Sequence, residues 1–337
     1  MFTIRRRSIA ALSVVVAATI GLSACSSSSD SGGSSASGAS GDKVTLVVGD
    51  QVRQTQSLLE ASGELKDLPY NITWSSFESG PPLLEAASAG KVDIGGTGDV
   101  PPVFAQASGA HVKIVAVQDR QAANDFLLVP KSSTATSIAD LKGKSIGVAK
   151  GSSSHGLLLG LLKKAGLTPA DVNVKYLQPT EGLSAFQSHQ IDAWAVWNPY
   201  TAVGVAQADG KIIGDAKGVT TLQSYYLASD AALADSAKSK ALGDFVTRLT
   251  KALAWSGTHE DEWIPTFSKL TKLPAPVAKA TFETSKGVLV PIGDAQIAQQ
   301  QELIDLFHGA GEISSAPKAA EYFDDRFNSD VSAGTAQ

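Results

Sequence analysis

Four short stretches place small hydroxyl-bearing, acidic or amide residues beside glycine or proline where a helix should begin. They are Ser79-Gly80-Pro81-Pro82, Thr97-Gly98-Asp99 ahead of Pro101-Pro102, Gly151-Ser152-Ser153-Ser154-His155-Gly156, and Trp197-Asn198-Pro199. Proline in a first helical turn loses no hydrogen bond, because that N–H has no intrahelical partner. Unpaired N–H groups gathered at neighbouring strand ends attract an anion without a lysine or arginine. Ser and Thr hydroxyls add neutral donors, and the Trp194 and Trp197 rings offer apolar faces. Plainer roles exist for each. Ser79, Asp99 and Asn198 suit helix N-caps. Trp194 suits a pocket or a strand core, and Trp74 the core. His155 suits a polar wall more than a metal site, since the five histidines are scattered. Arg53 and Arg120 reach toward an anion only by lying near strand ends. Gly151 to His155 misses the nucleophile pattern G-x-S-x-G, because His155 takes the last glycine position.

The elements that position these residues alternate. Apolar or β-branched runs at 44–48, 71–77, 92–95, 112–117, 125–130, 145–149, 172–177, 191–196, 212–213 and 224–228 read as strands. Helices are expected at 54–62, after Pro81-Pro82 and Pro101-Pro102, at 137–141, 157–165, 180–189 with Thr180 as cap, and from Pro199. Strand–helix alternation predicts an α/β fold with mainly parallel sheets. Beyond 230 the pattern turns helical, at 236–256, 260–269, 275–286 and 294–307, with Pro265 expected to kink or break the second of these.

Arg5-Arg6-Arg7 followed by apolar Ile9 to Leu22 reads as a signal peptide over 1–24. Leu22-Ser23-Ala24-Cys25 resembles a bacterial lipobox, which would acylate Cys25; ordinary secretory cleavage is the alternative. Residues 25–41 are almost all Ser, Gly, Ala and Asp, a composition that suits a flexible tether. Loss of the three arginines takes the formal charge from −5 to −8, which with the lack of a basic cluster excludes nucleic acid as a partner. With Met1 removed, Cys25 holds the mature chain's one sulfur atom. Avoidance of oxidisable residues and economy of sulfur both account for that.

The run SGPPLLEAASAGKVDIGGTGDVPPVFAQASGA (79–110) resembles the substrate-binding lipoproteins of ABC importers for aliphatic sulfonates, the branch with taurine and nitrate or bicarbonate binders. The pieces IADLKGKSIGVAKGSSSHGLLLGLLKKAGL (138–167), IDAWAVWNPYTAV (191–203) and GVLVPIGDAQIAQQQELIDLF (287–307) follow in the same order. The resemblance implies a two-lobed periplasmic-binding-protein-like fold (type II): lobe one at 42–129 and 224–337, lobe two at 130–223, with hinge strands near 126–130 and 224–228. It implies ligand contacts from Gln51, Ser79, Gly80, Thr97, Gly98 and Asp99 in lobe one. From lobe two it implies Ser152, Ser153, Ser154, His155, Trp194, Trp197 and Asn198. The family carries Asp in W-D-P-Y where this chain has Asn198. The implied protein is a monomer without cofactor or enzymatic activity. It captures an alkanesulfonate outside the cell, held to the membrane by its lipid, and hands it to a permease driven by a cytoplasmic ATPase. Taurine and nitrate or bicarbonate remain alternatives. A thiamine-pyrimidine binder or enzyme is more remote, because the enzyme's cysteine-rich motif is missing here.

Overall fold

Leu46 and Val48 alternate on the buried face of the first strand, and the same half-buried logic builds two separate sheets. The structure is a computed structural model and describes residues 43–120 and 122–335. The expected signal peptide, Cys25 and the 25–41 tether lie outside the described residues.

In chain order the first elements are β1 (Thr45–Gln51), α1 (Gln54–Ala61), β2 (Asn71–Phe77), α2 (Gly80–Ser88), β3 (Ile94–Gly98), α3 (Pro101–Ala107) and β4 (Val112–Arg120). Next come β5 (Asp125–Pro130), β6 (Ser145–Val148), α4 (Ser153–Lys164), β7 (Asn173–Tyr176), α5 (Pro179–Gln187), β8 (Ala193–Trp197), α6 (Tyr200–Gln207) and β9 (Gly210–Asp215). The remainder is β10 (Gln223–Ser229), α7 (Asp230–Ala234), α8 (Ser236–Ser256), α9 (Glu260–Thr271), α10 (Ala275–Ser285), β11 (Gly287–Val290), α11 (Asp294–Gly309) and α12 (Asn328–Thr335).

The strands form one sheet in the order β11-β4-β10-β3-β1-β2 and another in the order β7-β6-β8-β5-β9. Each has a parallel trio, β2-β1-β3 and β7-β6-β8, as strand–helix alternation predicts. The sheets are nevertheless mixed rather than mainly parallel. β10 runs antiparallel to β3 and β4, β11 to β4, and β5 to β8 and β9. The reason is local. β5 and β10 each arrive from the other sheet with no intervening helix, so nothing carries the chain back to the end a parallel strand needs. The chain crosses between Arg120 and Asp125 and again over 216–222. The segments touch where the Arg120 N–H donates to the Leu222 carbonyl at 3.2 Å.

Several boundaries differ from expectation. β3 starts at Ile94, because Asp93 accepts from the Val47 N–H (2.8 Å) and from Lys238 Nζ (2.8 Å) instead of extending the strand. α4 begins at Ser153, four residues before the apolar run at Leu157, with Ser152 as its N-cap. α5 starts at Pro179 behind Gln178, so Thr180 is not a cap; its hydroxyl donates to Glu78 at 2.9 Å. α9 runs unbroken through Pro265, its sixth residue, which has no N–H to give the Asp261 carbonyl.

Helices α1, α8, α9 and α10 pack an apolar layer on one face of the first sheet, with Phe245, Phe267 and Phe282 at its centre. On the second sheet, Trp194 packs with Phe186, Leu128 and Ile191 at 1% exposure. Gly182 and Gly204 make room for its indole: a Cβ on Gly182 would meet it at 2.5 Å. Trp194→Ala is therefore expected to cost about 3–5 kcal/mol of stability, read as a lower midpoint in chemical unfolding; a loss under about 1 kcal/mol would contradict a core role.

Candidate functional site

The ends of β1, β3 and β4 and the start of β10 meet on one side of a cavity of about 100 Å³. They bring Asp50, Gln51, Thr97, Gly98, Asp99, Gln118 and Arg120 to it, with Ser224 and Tyr226. The second sheet's half closes the other side with Asp125, Ser153 and Trp197. The two halves touch here: a Cβ on Gly98 would lie 2.7 Å from that of Ser153, so only glycine allows this approach.

Arg120 is the cation of this cavity. Its Nε donates to Ser224 Oγ at 2.6 Å and its Nη1 to the Thr284 carbonyl in the last turn of α10 at 3.2 Å. No ion pair forms on it within 4.0 Å among the described residues. Burial pulls its pKa below the ordinary value, while Asp125, Tyr226 and Asp99 act the other way. A guanidinium stays charged regardless. Two of its five N–H donors are used in these bonds, and the other three have no hydrogen-bond partner among the described residues.

Three carboxyl groups share the cavity wall, and each is occupied. Asp50 accepts from the Thr55 N–H (3.1 Å) and Gln56 N–H (2.8 Å) at the start of α1, and burial pushes it up to about 6 against those bonds. Asp99 accepts from Thr221 Oγ1 at 2.7 Å; burial, helped by the charge on Asp125, pushes it up to about 7. Asp125 accepts at one oxygen from both Ser153 and Ser154 hydroxyls, each at 2.6 Å. Burial raises Asp125 as well, against those two bonds and the nearby Arg120.

Six residues singled out in the sequence line the cavity: Gln51, Thr97, Gly98, Asp99, Ser153 and Trp197. The other seven lie elsewhere. Ser79 donates its hydroxyl across the cleft to Gln178 Oε1 at 2.9 Å, and Gly80 is pressed against Pro101. Ser152 caps α4, accepting from the His155 N–H at 3.3 Å, and Ser154 is spent on Asp125. His155 sits at 1% exposure among Phe104, Phe307 and Tyr176, where burial, with Lys150, lowers it to about 4. Trp194 belongs to the core already described. Asn198 caps α6 through the Ala202 N–H (3.0 Å) and donates from Nδ2 to Thr284 Oγ1 (3.0 Å) and the Ala280 carbonyl (3.4 Å). A carboxylate at that position would cap equally well but could not donate to α10, which explains Asn in place of Asp.

Sequence reasoning missed Asp50, Asp125 and the helical wall behind them, and named Arg120 only for its place near a strand end. The available signal was that all three sit at strand ends beside loops or crossings. The cavity carries one arginine in its wall, a basic side chain that the expected anion site did not require.

The model of the family described as NMT1/THI5 like matches residues 80–262. A protein of Escherichia coli (strain K12) named for binding aliphatic sulfonates is 34% identical over 267 residues, 78% of this chain and 83% of that protein. A taurine-binding periplasmic protein of Escherichia coli (strain K12) is 32% identical over 46% of this chain and 47% of its own length. The solved alkanesulfonate-binding protein SsuA from Xanthomonas axonopodis pv. citri, bound to MOPS, superposes with a TM-score of 0.77 at 30% identity, covering 84% of this chain and 99% of that one.

The shift on Asp99 sets a stability test. Its folded pKa lies above its unfolded one, so the folded state holds the extra proton, and stability present at pH 4 is lost as the pH rises toward about 7. Asp99→Asn keeps the Thr221 bond and carries no charge. Its melting temperature relative to the wild type should rise from pH 4 to pH 8, and a difference that stays constant over that range would contradict the buried carboxyl.

Proposed function

The chain belongs to the NMT1/THI5-like family, and from that premise we propose that it is the extracytoplasmic substrate-binding component of an ABC importer for aliphatic sulfonates. The observation that carries this reading is Arg120, a cation in the cavity wall with donors left over. A sulfonate brings three acceptor oxygens and one diffuse negative charge, which matches a guanidinium fork and neighbouring neutral donors. Gln51 shares the cavity wall, and its amide, which gives one proton to the Gly96 carbonyl, carries a second to offer, whereas the Thr97 and Ser153 hydroxyls donate to the Gly98 carbonyl and to Asp125. Trp197 supplies an apolar face.

Work of this kind needs a cleft that opens and shuts. We take the segments between Arg120 and Asp125 and at 216–222 as the hinge, with the two sheets as the lobes. The contacts of Ser79 with Gln178, Thr180 with Glu78 and Asn198 with Thr284 are then closure contacts. The protein is a monomeric carrier rather than an enzyme, exported through its signal peptide and anchored by a lipid on Cys25. It delivers its load to the membrane permease and its cytoplasmic ATPase.

A second reading has its own observation. Asp99 and Asp125 would suit an ammonium, so an aminoalkanesulfonate such as taurine is the alternative ligand. The pH dependence separates the two. An alkanesulfonate favours the protonated Asp99, so its affinity should increase as the pH falls through about 7. An aminoalkanesulfonate favours ionised Asp99 and should weaken over the same range. Titration calorimetry of ethanesulfonate and taurine from pH 8 to pH 6 reads both slopes.

Arg120 gives the sharper test. Charge-assisted hydrogen bonds contribute roughly 1.5–3 kcal/mol, so Arg120→Gln should weaken ethanesulfonate binding by about 10- to 100-fold and reduce the ligand-induced rise in melting temperature at a fixed ligand concentration. Arg120→Lys should retain part of the affinity. Unchanged binding in the Gln variant would remove the basis of the assignment.

A further inference from the structure

Part of the cavity wall comes from helices packed on the first sheet. It is formed by Leu58 of α1, Leu253 and Ser256 of α8, Trp263 of α9, and Phe282 and Ser285 of α10. Leu58, Leu253, Trp263 and Phe282 are each less than a tenth exposed, and the Trp263 and Phe282 rings lie 5.5 Å apart. The two serines have no proton to offer, because Ser256 Oγ donates to the Leu253 carbonyl (2.8 Å) and Ser285 Oγ to the Phe282 carbonyl (3.0 Å). A wall of this kind does nothing for an anion and much for a hydrocarbon. Arg120 lies at its edge, since it bonds to Thr284, the neighbour of Ser285.

We propose that this recess is a subsite for the apolar tail, alkyl or phenyl, of a sulfonate whose head rests on Arg120. It rests on the sulfonate reading and assigns chain-length selection to α8, α9 and α10 of the first lobe. Trp194, whose ring the sequence offered as an apolar face, is buried in the core of the second sheet. Ser256 and Ser285 leave the recess open because they are small; a larger residue at either position fills it while leaving the head-group donors in place.

The test is titration calorimetry on the full-length protein with methane-, ethane-, butane- and benzenesulfonate, repeated with Ser256→Leu and with the less buried Ser285→Leu. In the wild type, affinity should increase on the order of fourfold per methylene until the recess is full. Either variant should hold methanesulfonate within about twofold and weaken butane- and benzenesulfonate at least tenfold. The second variant keeps the test alive if Leu at 256 prevents folding. Equal weakening of every ligand, or no change in folded variants, would overturn the subsite. A flat chain-length series in the wild type would overturn the subsite alone, whereas absence of binding by all four sulfonates would overturn the sulfonate reading and the subsite with it.

Discussion

A guanidinium set into a protein interior without a paired carboxylate is costly, because the charge loses water and gains nothing equal in return. Arg120 is in that position, held by one serine hydroxyl and one helix-end carbonyl. Asp125 and Asp99 relieve it only in part, through space and without an ion pair within 4.0 Å among the described residues. Asp50 is capped into α1, Asp99 is tied to Thr221, and Asp125 is tied to two serines. Each carboxyl is also pushed toward its neutral form by burial. The cavity therefore holds a fixed positive charge beside weakened negative ones, and the sulfonate proposed for it would supply the missing counter-charge.

The rest of the fold serves to keep that charge in place. Thr284 shows how tightly the parts are joined. Its carbonyl accepts from Arg120, while its hydroxyl accepts from Asn198 in the second lobe and donates to Asn124 in the first crossing. The second crossing is tied in through Leu222, which accepts from the Arg120 N–H, and through Thr221 on Asp99. Leu222 itself has φ 57°, a left-handed conformation that a leucine adopts only where its surroundings hold it. Cation, both crossings and both lobes thus meet within a few residues, which is the arrangement by which binding at the cavity would bias the angle between lobes.

Much of this was legible in the sequence. Strand–loop–helix junctions are local, written in apolar runs and in glycine, proline and small polar breakers, so Thr97 to Asp99, Ser153 and Trp197 were found where the cavity lies. What failed was non-local. Insertion of β10 between β3 and β4 leaves no trace in a strand–helix alternation. Trp194 sits in a strand buried along its whole length, so alternation does not tell which face points to the cleft. Arg120 reads as an ordinary arginine at a strand end until α10 arrives, 164 positions later, to take its N–H. Of the seven site residues that lie away from the cavity, Ser79, Ser152 and Asn198 are caps or contacts between the two halves, and the others pack or bond locally. The same small polar residues serve helix starts and ligands, and type alone does not separate the two.

The most direct measurement is a crystal structure with 2-bromoethanesulfonate bound, in which bromine marks the tail by anomalous scattering. The account predicts the sulfonate oxygens within hydrogen-bonding distance of the Arg120 guanidinium and the bromine on the side of Trp263 and Phe282. A sulfonate seated instead at the start of α4 against Ser152 and His155, with Arg120 uninvolved, would contradict it.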